Sequence, residues 1–313
     1  MPKIIREYNK LPSNIRSELP DLNDLTGKEW SQLSRSINTY NGPIAEKRRL
    51  HGAAFPLSLA DHFIKIYTHK GDWVLDPFMG VGTTGDVAEI LDRNFVGFEI
   101  SRKFFQIARK GIDPADARYF EYAQKPNSAK FERKLFNESC LNLKERIAPE
   151  TINLTLTSPP YGHLLNNIAQ SFAAYTYSKN IYKNKGRKLA SAYTNKPEDF
   201  GNQSLEAYCA SIDRVMGQLY IATAPSGYNV WVVRDYREMT GHLPYINLHS
   251  QIIKLAQKNN WVLSDIVVWD QTRQRHLVKL GGKRSRRFYF NIGHSFILSF
   301  RKNIPGEKFR NAF

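Results

Sequence analysis

Apolar residues in this chain fall into short runs with two different periods. Trp73-Val74-Leu75, Phe95-Val96-Gly97-Phe98, Lys134-Leu135-Phe136 and residues 152–157 are runs of strand length. So are Val230-Trp231-Val232-Val233 and residues 262–269 and 296–300. Between them lie segments with apolar groups at helical spacing, at 55–68, 86–91, 104–109, 205–219 and 246–258. The first of these opens on proline, a good first-turn residue. Seven strands interleaved with helices predict an α/β fold built on one mostly parallel sheet with helices on both faces. Residues 1–50 are polar and charged, with an amphipathic patch at Trp30, Leu33 and Ile37. They predict a short helical arm ahead of a domain spanning 51–313. Two polar, basic stretches, 163–204 and 270–292, interrupt the alternation and read as insertions.

Composition narrows the partners. The chain has 313 residues, 42% hydrophobic, enough for one large domain or a domain with a small appendage. Lys plus Arg is 45 against 29 for Asp plus Glu, a net charge of +16. A globular chain this basic usually meets a polyanion, the alternative being a merely soluble cationic protein. The two cysteines, Cys140 and Cys209, make neither a metal-ligand pair nor a disulfide framework. That suits a reducing cytoplasm. No apolar run reaches the roughly 18 residues of a membrane span, and the N-terminus does not read as a signal peptide.

Candidate chemistry begins after the first strand, at Asp76-Pro77-Phe78-Met79-Gly80-Val81-Gly82-Thr83-Thr84-Gly85. Gly80, Gly82 and Gly85 fit the GxGxxG pattern, and Glu99 ends the next strand at about the 20-residue distance of a ribose clamp. Glycines let backbone approach a ligand, and a carboxylate accepts from both ribose hydroxyls. By itself the loop fits NAD, FAD or S-adenosylmethionine, or a tight turn without a ligand.

A second feature closes the fourth strand: Thr157-Ser158-Pro159-Pro160-Tyr161. Proline fixes φ and donates no N–H, so groups at this turn are aimed. The Ser158 hydroxyl and the Pro159 carbonyl can accept from an exocyclic amine, and the Tyr161 ring can stack on a nucleobase. An ordinary strand-ending turn is the plainer reading.

Asp-Pro-Phe-x-Gly-x-Gly-Thr-Thr followed by Ser-Pro-Pro-Tyr resembles the paired motifs of the DNA amino-methyltransferases, in the family's gamma order. The serine form resembles the cytosine-N4 members; adenine-N6 members more often carry Asp or Asn there. His51-Gly-Ala-Ala-Phe55-Pro56 and Arg93-Asn94-Phe95-Val96-Gly97-Phe98-Glu99-Ile100 resemble flanking family segments. The match is good over residues 50–110 and 150–162 and loose over 228–302.

The resemblance implies a Rossmann-like class I S-adenosylmethionine-dependent methyltransferase fold with a seven-stranded sheet. It implies S-adenosylmethionine as cofactor and double-stranded DNA as substrate, with no metal. Carried over by position, Phe55, Pro56, Asp76, Pro77, Phe78, Gly80 and Gly82 line the cofactor site. Thr83 and Thr84 open the following helix and Glu99 binds the ribose. Ser158, Pro159, Pro160 and Tyr161 form the catalytic turn. Asn137-Glu138-Ser139-Cys140 departs from the family's Gly-Asp-Ala, so Ser139 stands where an aspartate often meets the cofactor's adenine. Neither cysteine follows a proline, which disfavours a thiolate mechanism at cytosine carbon-5.

Members of the family work in restriction-modification, beside a cognate restriction endonuclease acting separately, or as orphan enzymes. Adenine-N6 methylation, methylation of an RNA base, and an inactive nucleic-acid-binding module are the alternative readings.

Phosphate contacts are expected from the insertions. Arg273, Arg275, Lys279, Lys283, Arg284, Arg286 and Arg287 crowd one stretch. Lys183, Lys185, Arg187 and Lys188, interleaved with tyrosines, follow the catalytic turn. Such clusters make binding salt-dependent and can read guanine edges, or else form solvated basic loops.

Overall fold

The computed structural model describes residues 22–42, 46–51, 54–121, 131–160, 194–237, 244–274, 281–282 and 287–302. In the arm, α1 (Gly27–Leu33) begins with a capping box between Thr26 and Glu29. It buries none of its own residues, and Trp30 and Ile37 stay exposed. The arm is instead held by buried Tyr40, whose hydroxyl donates to His62 Nδ1 at 2.8 Å. His62 Nε2 in turn donates to the Leu33 carbonyl at 2.8 Å. Strand β1 (Ile37–Asn38) and helix α2 (Glu46–His51) complete the segment.

The chain then alternates. Helix α3 (Leu57–Tyr67) starts behind Pro56 and leads to β2 (Trp73–Asp76), α4 (Thr83–Ile90) and β3 (Asn94–Phe98). Next come α5 (Arg102–Ala108), α6 (Pro114–Tyr119), β4 (Arg133–Phe136) and β5 (Ile152–Thr157). Helix α7 (Leu205–Ala222) feeds β6 (Thr223–Val233), followed by the two-residue strands β7 (Tyr236–Arg237) and β8 (Tyr245–Ile246) and helix α8 (Leu248–Lys258). Strand β9 (Val262–Asp270), the small pair β10 (Gly281–Gly282) and β11 (Arg287–Phe288), and β12 (His294–Arg301) end the series.

The main sheet has the order β1-β9-β12-β6-β5-β2-β3-β4. The seven predicted strands are all in it, and two-residue β1 adds an eighth at the edge. Pairings run parallel except along β12, which is antiparallel to both β6 and β9. Alternation of side chains divides the core between the two faces. Val74, Phe95, Val230 and Val232 pack with α3 and α4 on one face. Leu75, Val96, Trp231 and Val233 pack with α7 and α8 on the other. This is the mostly parallel α/β sheet with helices on both faces that the alternation predicts, in the Rossmann-like form that the resemblance implies.

Topology also places the site. From β2 the chain moves outward to β3 and β4, then returns to lay β5 on the other side of β2. The order reverses between β2 and β5, and ligands of open α/β sheets bind in the crevice at such a reversal, beyond the carboxyl ends of the strands. The glycine loop leaves the end of β2 and the Ser-Pro-Pro turn leaves the end of β5.

Candidate active site

The loop after β2 needs its glycines for measurable reasons. Gly80 has φ +55° and Gly82 φ +87°, the left-handed region that a Cβ disfavours. A Cβ on Gly80 would sit 2.8 Å from His51 Nε2, and one on Gly82 3.1 Å from the Ala108 Cβ. Gly82 is the N-cap of α4, so the helix starts at Thr83. Helix α2 brings His51 onto the loop, with its ring 4.7 Å from that of Phe104. Ion pairs hold α2 there: Lys47 to Asp86, and Arg48 to Asp116 with Nη1 to Oδ2 at 2.6 Å, all buried. Burial lowers the His51 imidazole to about 4, so it is neutral.

Asp76 joins the two halves of the site. Its carboxylate accepts from the Thr157 hydroxyl at 2.6 Å, the Thr84 hydroxyl at 2.7 Å and the Phe78 N–H at 3.0 Å. One buried side chain thereby ties the end of β5, the start of α4 and the glycine loop. Burial still raises it to about 6. Glu99, at the end of β3, accepts from Gly80 N–H at 2.9 Å and from Ser101 N–H at 2.7 Å. Asn137 Nδ2 donates to the Glu99 carbonyl at 2.7 Å. Burial outweighs both N–H groups and pushes the Glu99 carboxyl up to about 8.

Between these elements lies a cavity lined by His51, Ala54, Phe55, Asp76, Phe78, Met79, Gly80, Val81, Thr83 and Ser158. Five expected cofactor positions, Phe55, Asp76, Phe78, Gly80 and Thr83, thus share one space with Ser158. The buried Thr83 hydroxyl has no hydrogen-bond partner among the described residues, leaving it free for a ligand. A left-handed glycine in the cavity wall, a spare hydroxyl and the buried Asp76 carboxyl together fit a nucleoside cofactor, with Gly82 and Glu99 standing just behind the lining residues.

Other expected residues stand apart from the cavity lining. Pro56 is the N-cap of α3, Pro77 shapes the turn and Thr84 is committed to Asp76. Ser139 caps a 3₁₀ turn (Cys140–Glu145), its hydroxyl accepting from Leu141 N–H at 3.3 Å. Glu138 is paired with Arg146 at 2.6 Å. Cys140 is buried and its thiol pushed up by burial. Asp235 is buried at the end of β6 and accepts from His249 Nδ1 at 2.6 Å, His249 N–H at 3.0 Å and the Tyr245 hydroxyl at 2.8 Å. It holds the start of α8. Pro159 and Pro160 follow Ser158 on the turn, and Arg273 is exposed beyond β9. Tyr161, Lys183, Lys185, Arg187, Lys188, Arg275, Lys279, Lys283, Arg284 and Arg286 lie outside the described residues, as does the side chain of Arg287.

Some neighbours of the site carry no sequence signal. Met79 and Val81 line the cavity between the glycines. Phe200, near the end of the first insertion, packs edge-on against Phe78 at 5.1 Å. It is set by Asp199, whose carboxylate accepts from Gly201 N–H at 2.9 Å and Thr194 N–H at 2.7 Å.

Residues 5–110 match a family model described as DNA methylase. The type II methyltransferase M.BglI of Bacillus subtilis is 44% identical over 94 residues, 30% of this chain and 26% of its own length. M2.DpnII of Streptococcus pneumoniae, also a type II methyltransferase, is 41% identical over 100 residues, 32% of this chain and 35% of its own. The chain therefore matches only about a quarter to a third of these relatives. Among solved structures, TrmN from Thermus thermophilus aligns with 82% of this chain and 53% of its own at 14% identity and a TM-score of 0.45. The segment similar to that DNA methylase model, residues 5–110, includes the glycine loop and Glu99 and stops short of Ser158.

Proposed function

We propose that this chain transfers a methyl group from S-adenosylmethionine to the exocyclic N4 amine of cytosine, within a short sequence of double-stranded DNA. The observation that carries the reading is the single cavity lined by both the glycine loop and Ser158. The family match over residues 5–110 and the net charge of +16 support DNA as the substrate. The names of the two type II relatives support a restriction-modification setting, with any cognate nuclease a separate protein.

Bound at the glycine loop, S-adenosylmethionine supplies an already activated methyl group. The chain's task is then alignment, and orientation of two reactants can be worth about 7–11 kcal/mol. Gly80 and Gly82 give the cofactor backbone to lie against, Thr83 offers its hydroxyl and Glu99 its carboxylate. An aromatic amine is a poor nucleophile because its lone pair is delocalised. The Ser158 hydroxyl and the Pro159 carbonyl accept hydrogen bonds from its N–H groups and favour the pyramidal geometry needed for attack; the positive charge that the amine gains with the methyl group is relieved when one of those protons leaves to solvent. The Thr157–Asp76–Thr84 bridge keeps that turn in register with the loop. Tyr161 stacks on the target once it has left the duplex.

The test is to incubate unmodified DNA with the protein and labelled cofactor, then digest it and resolve the nucleosides by mass. Labelled N4-methylcytosine is expected. N6-methyladenine would overturn the choice of base, and 5-methylcytosine or no label would overturn the reading. Ser158→Ala is expected to fold normally and lose methyl transfer by about 100-fold or more, the scale of one positioned hydrogen-bond partner in the transition state. A full rate in that variant would remove the hydroxyl from the mechanism.

A further inference from the structure

Between β9 and β12 the chain makes a small hairpin, with β10 and β11 antiparallel and Gly281 opposite Phe288. Phe288 and Phe290 are 77% and 76% exposed, more than any other large apolar side chain among the described residues. Their rings meet edge-to-face, with centroids 5.2 Å apart and planes at 85°. Tyr289, between them in sequence, is engaged differently. The Arg237 guanidinium lies 5.1 Å from its ring and 5.2 Å from that of Tyr245, which anchors the hairpin to the β7–β8 pair. Two aromatic rings are therefore presented outward on an anchored support.

What these rings could meet follows from charge and position. Residues 273–287 hold seven Lys and Arg side chains and no Asp or Glu. Such a setting suits a polyanion with flat faces, a nucleic acid, better than a neutral or basic protein surface. Position agrees. Strand β12 is antiparallel to β6, and β6 is parallel to β5, with Phe296 opposite Val233 and Thr157 opposite Trp231. The start of β12 and the end of β5 thus lie on one edge of the sheet, two strand spacings or about 10 Å apart. The hairpin therefore joins the sheet at the end from which the turn carrying Ser158 also leaves.

We propose that Phe288 and Phe290 form an aromatic wedge that stacks into duplex DNA beside the target and holds open the step from which the base is turned out. Apolar side chains inserted between base steps unstack and unwind the duplex in this way. The proposal rests on the DNA-methylating reading, and it assigns the duplex-opening task to residues outside the cavity.

The test compares wild type, a Phe288→Ala/Phe290→Ala pair and a Phe288→Trp/Phe290→Trp pair on native and heat-denatured unmodified plasmid DNA. The alanine pair is expected to methylate native DNA about tenfold more slowly or worse, and denatured DNA within about twofold of wild type, because only the duplex must be opened. The tryptophan pair is expected to keep the native rate, and all three proteins the same thermal midpoint. An unchanged native rate in the alanine pair, or an equal fall on both substrates, would overturn the wedge. Plasmid unwinding, read as supercoils retained after topoisomerase relaxation, needs no methyl transfer. It separates failure of the wedge from failure of the enzymatic reading. Unwinding by wild type and not by the alanine pair supports the wedge; equal unwinding by both, or none by either, overturns it.

Discussion

Replacing Asp76 by asparagine isolates the cost of burying one carboxylate at the joint of the site. Asparagine keeps an acceptor for the Thr157 hydroxyl and the Phe78 N–H. On the other side its amide donates to Thr84 Oγ1, whose own proton can turn to the Leu156 carbonyl 3.5 Å away. The geometry survives and the charge goes. In the wild type, burial lifts Asp76 from 3.8 to about 6. That gap corresponds to about 3 kcal/mol at neutral pH. The sign is set by the raised value. Below about pH 4 the carboxyl is protonated in both folded and unfolded chains, and its full contribution to stability is present. As the pH rises towards 6 the unfolded chain ionises first, and stability is lost until the folded group also ionises. Asp86, raised to about 6, titrates in both proteins and cancels in the comparison; Glu99, raised to about 8 mainly by burial, loses the small push of the Asp76 charge in the variant, which works in the same direction. Urea unfolding across the range should show wild type losing about 3 kcal/mol relative to Asp76→Asn between about pH 4 and pH 7. Parallel profiles would refute the reasoning, since the three donors would then fully offset burial.

Gly80→Ala should destabilise the protein by about 1–2 kcal/mol through its left-handed backbone alone. It should also weaken S-adenosylmethionine binding, measured by calorimetry, because its Cβ drives into His51 beside the cavity. Arg48→Met strands the buried Asp116 carboxylate and should cost about 3–5 kcal/mol in chemical unfolding. Adding Asp116→Leu should recover much of that loss, and an equally unstable double variant would argue that the pair acts through packing.

Much of the sheet is legible because its strands are four to eleven residues long and flanked by turns, so period and length agree. Strand β1 is not, since two residues carry no period. Helix α6 begins with Asp113 capping Ala115 and Pro114 in the first turn, a readable start, yet its six residues are too few to show an apolar face. The glycine loop and Ser158 are visible because backbone demands restrict residue type at each position. The Asp76–Thr157 bond spans 81 positions, and nothing local marks it. The same holds for Phe200 against Phe78, where the meeting of two aromatic rings is decided by how the end of an insertion folds back. Ser139 caps a 3₁₀ turn, a local role that the motif comparison did not suggest.

The two-residue strand at the sheet edge has a consequence for association between molecules. Ile37 and Asn38 pair with Val268 and Trp269 of β9, and the Ser36 carbonyl accepts from Val268 N–H at 2.7 Å. An unpaired edge is a template for strand addition by another chain. Here the arm already occupies the template where β9 reaches its most apolar, aromatic end. Lower on the same strand Ser264 and Asp265 are exposed, and a charge there opposes docking of a second sheet. A polar segment that contributes little to the core can in this way keep a strongly basic, β-rich molecule from pairing with its own copies.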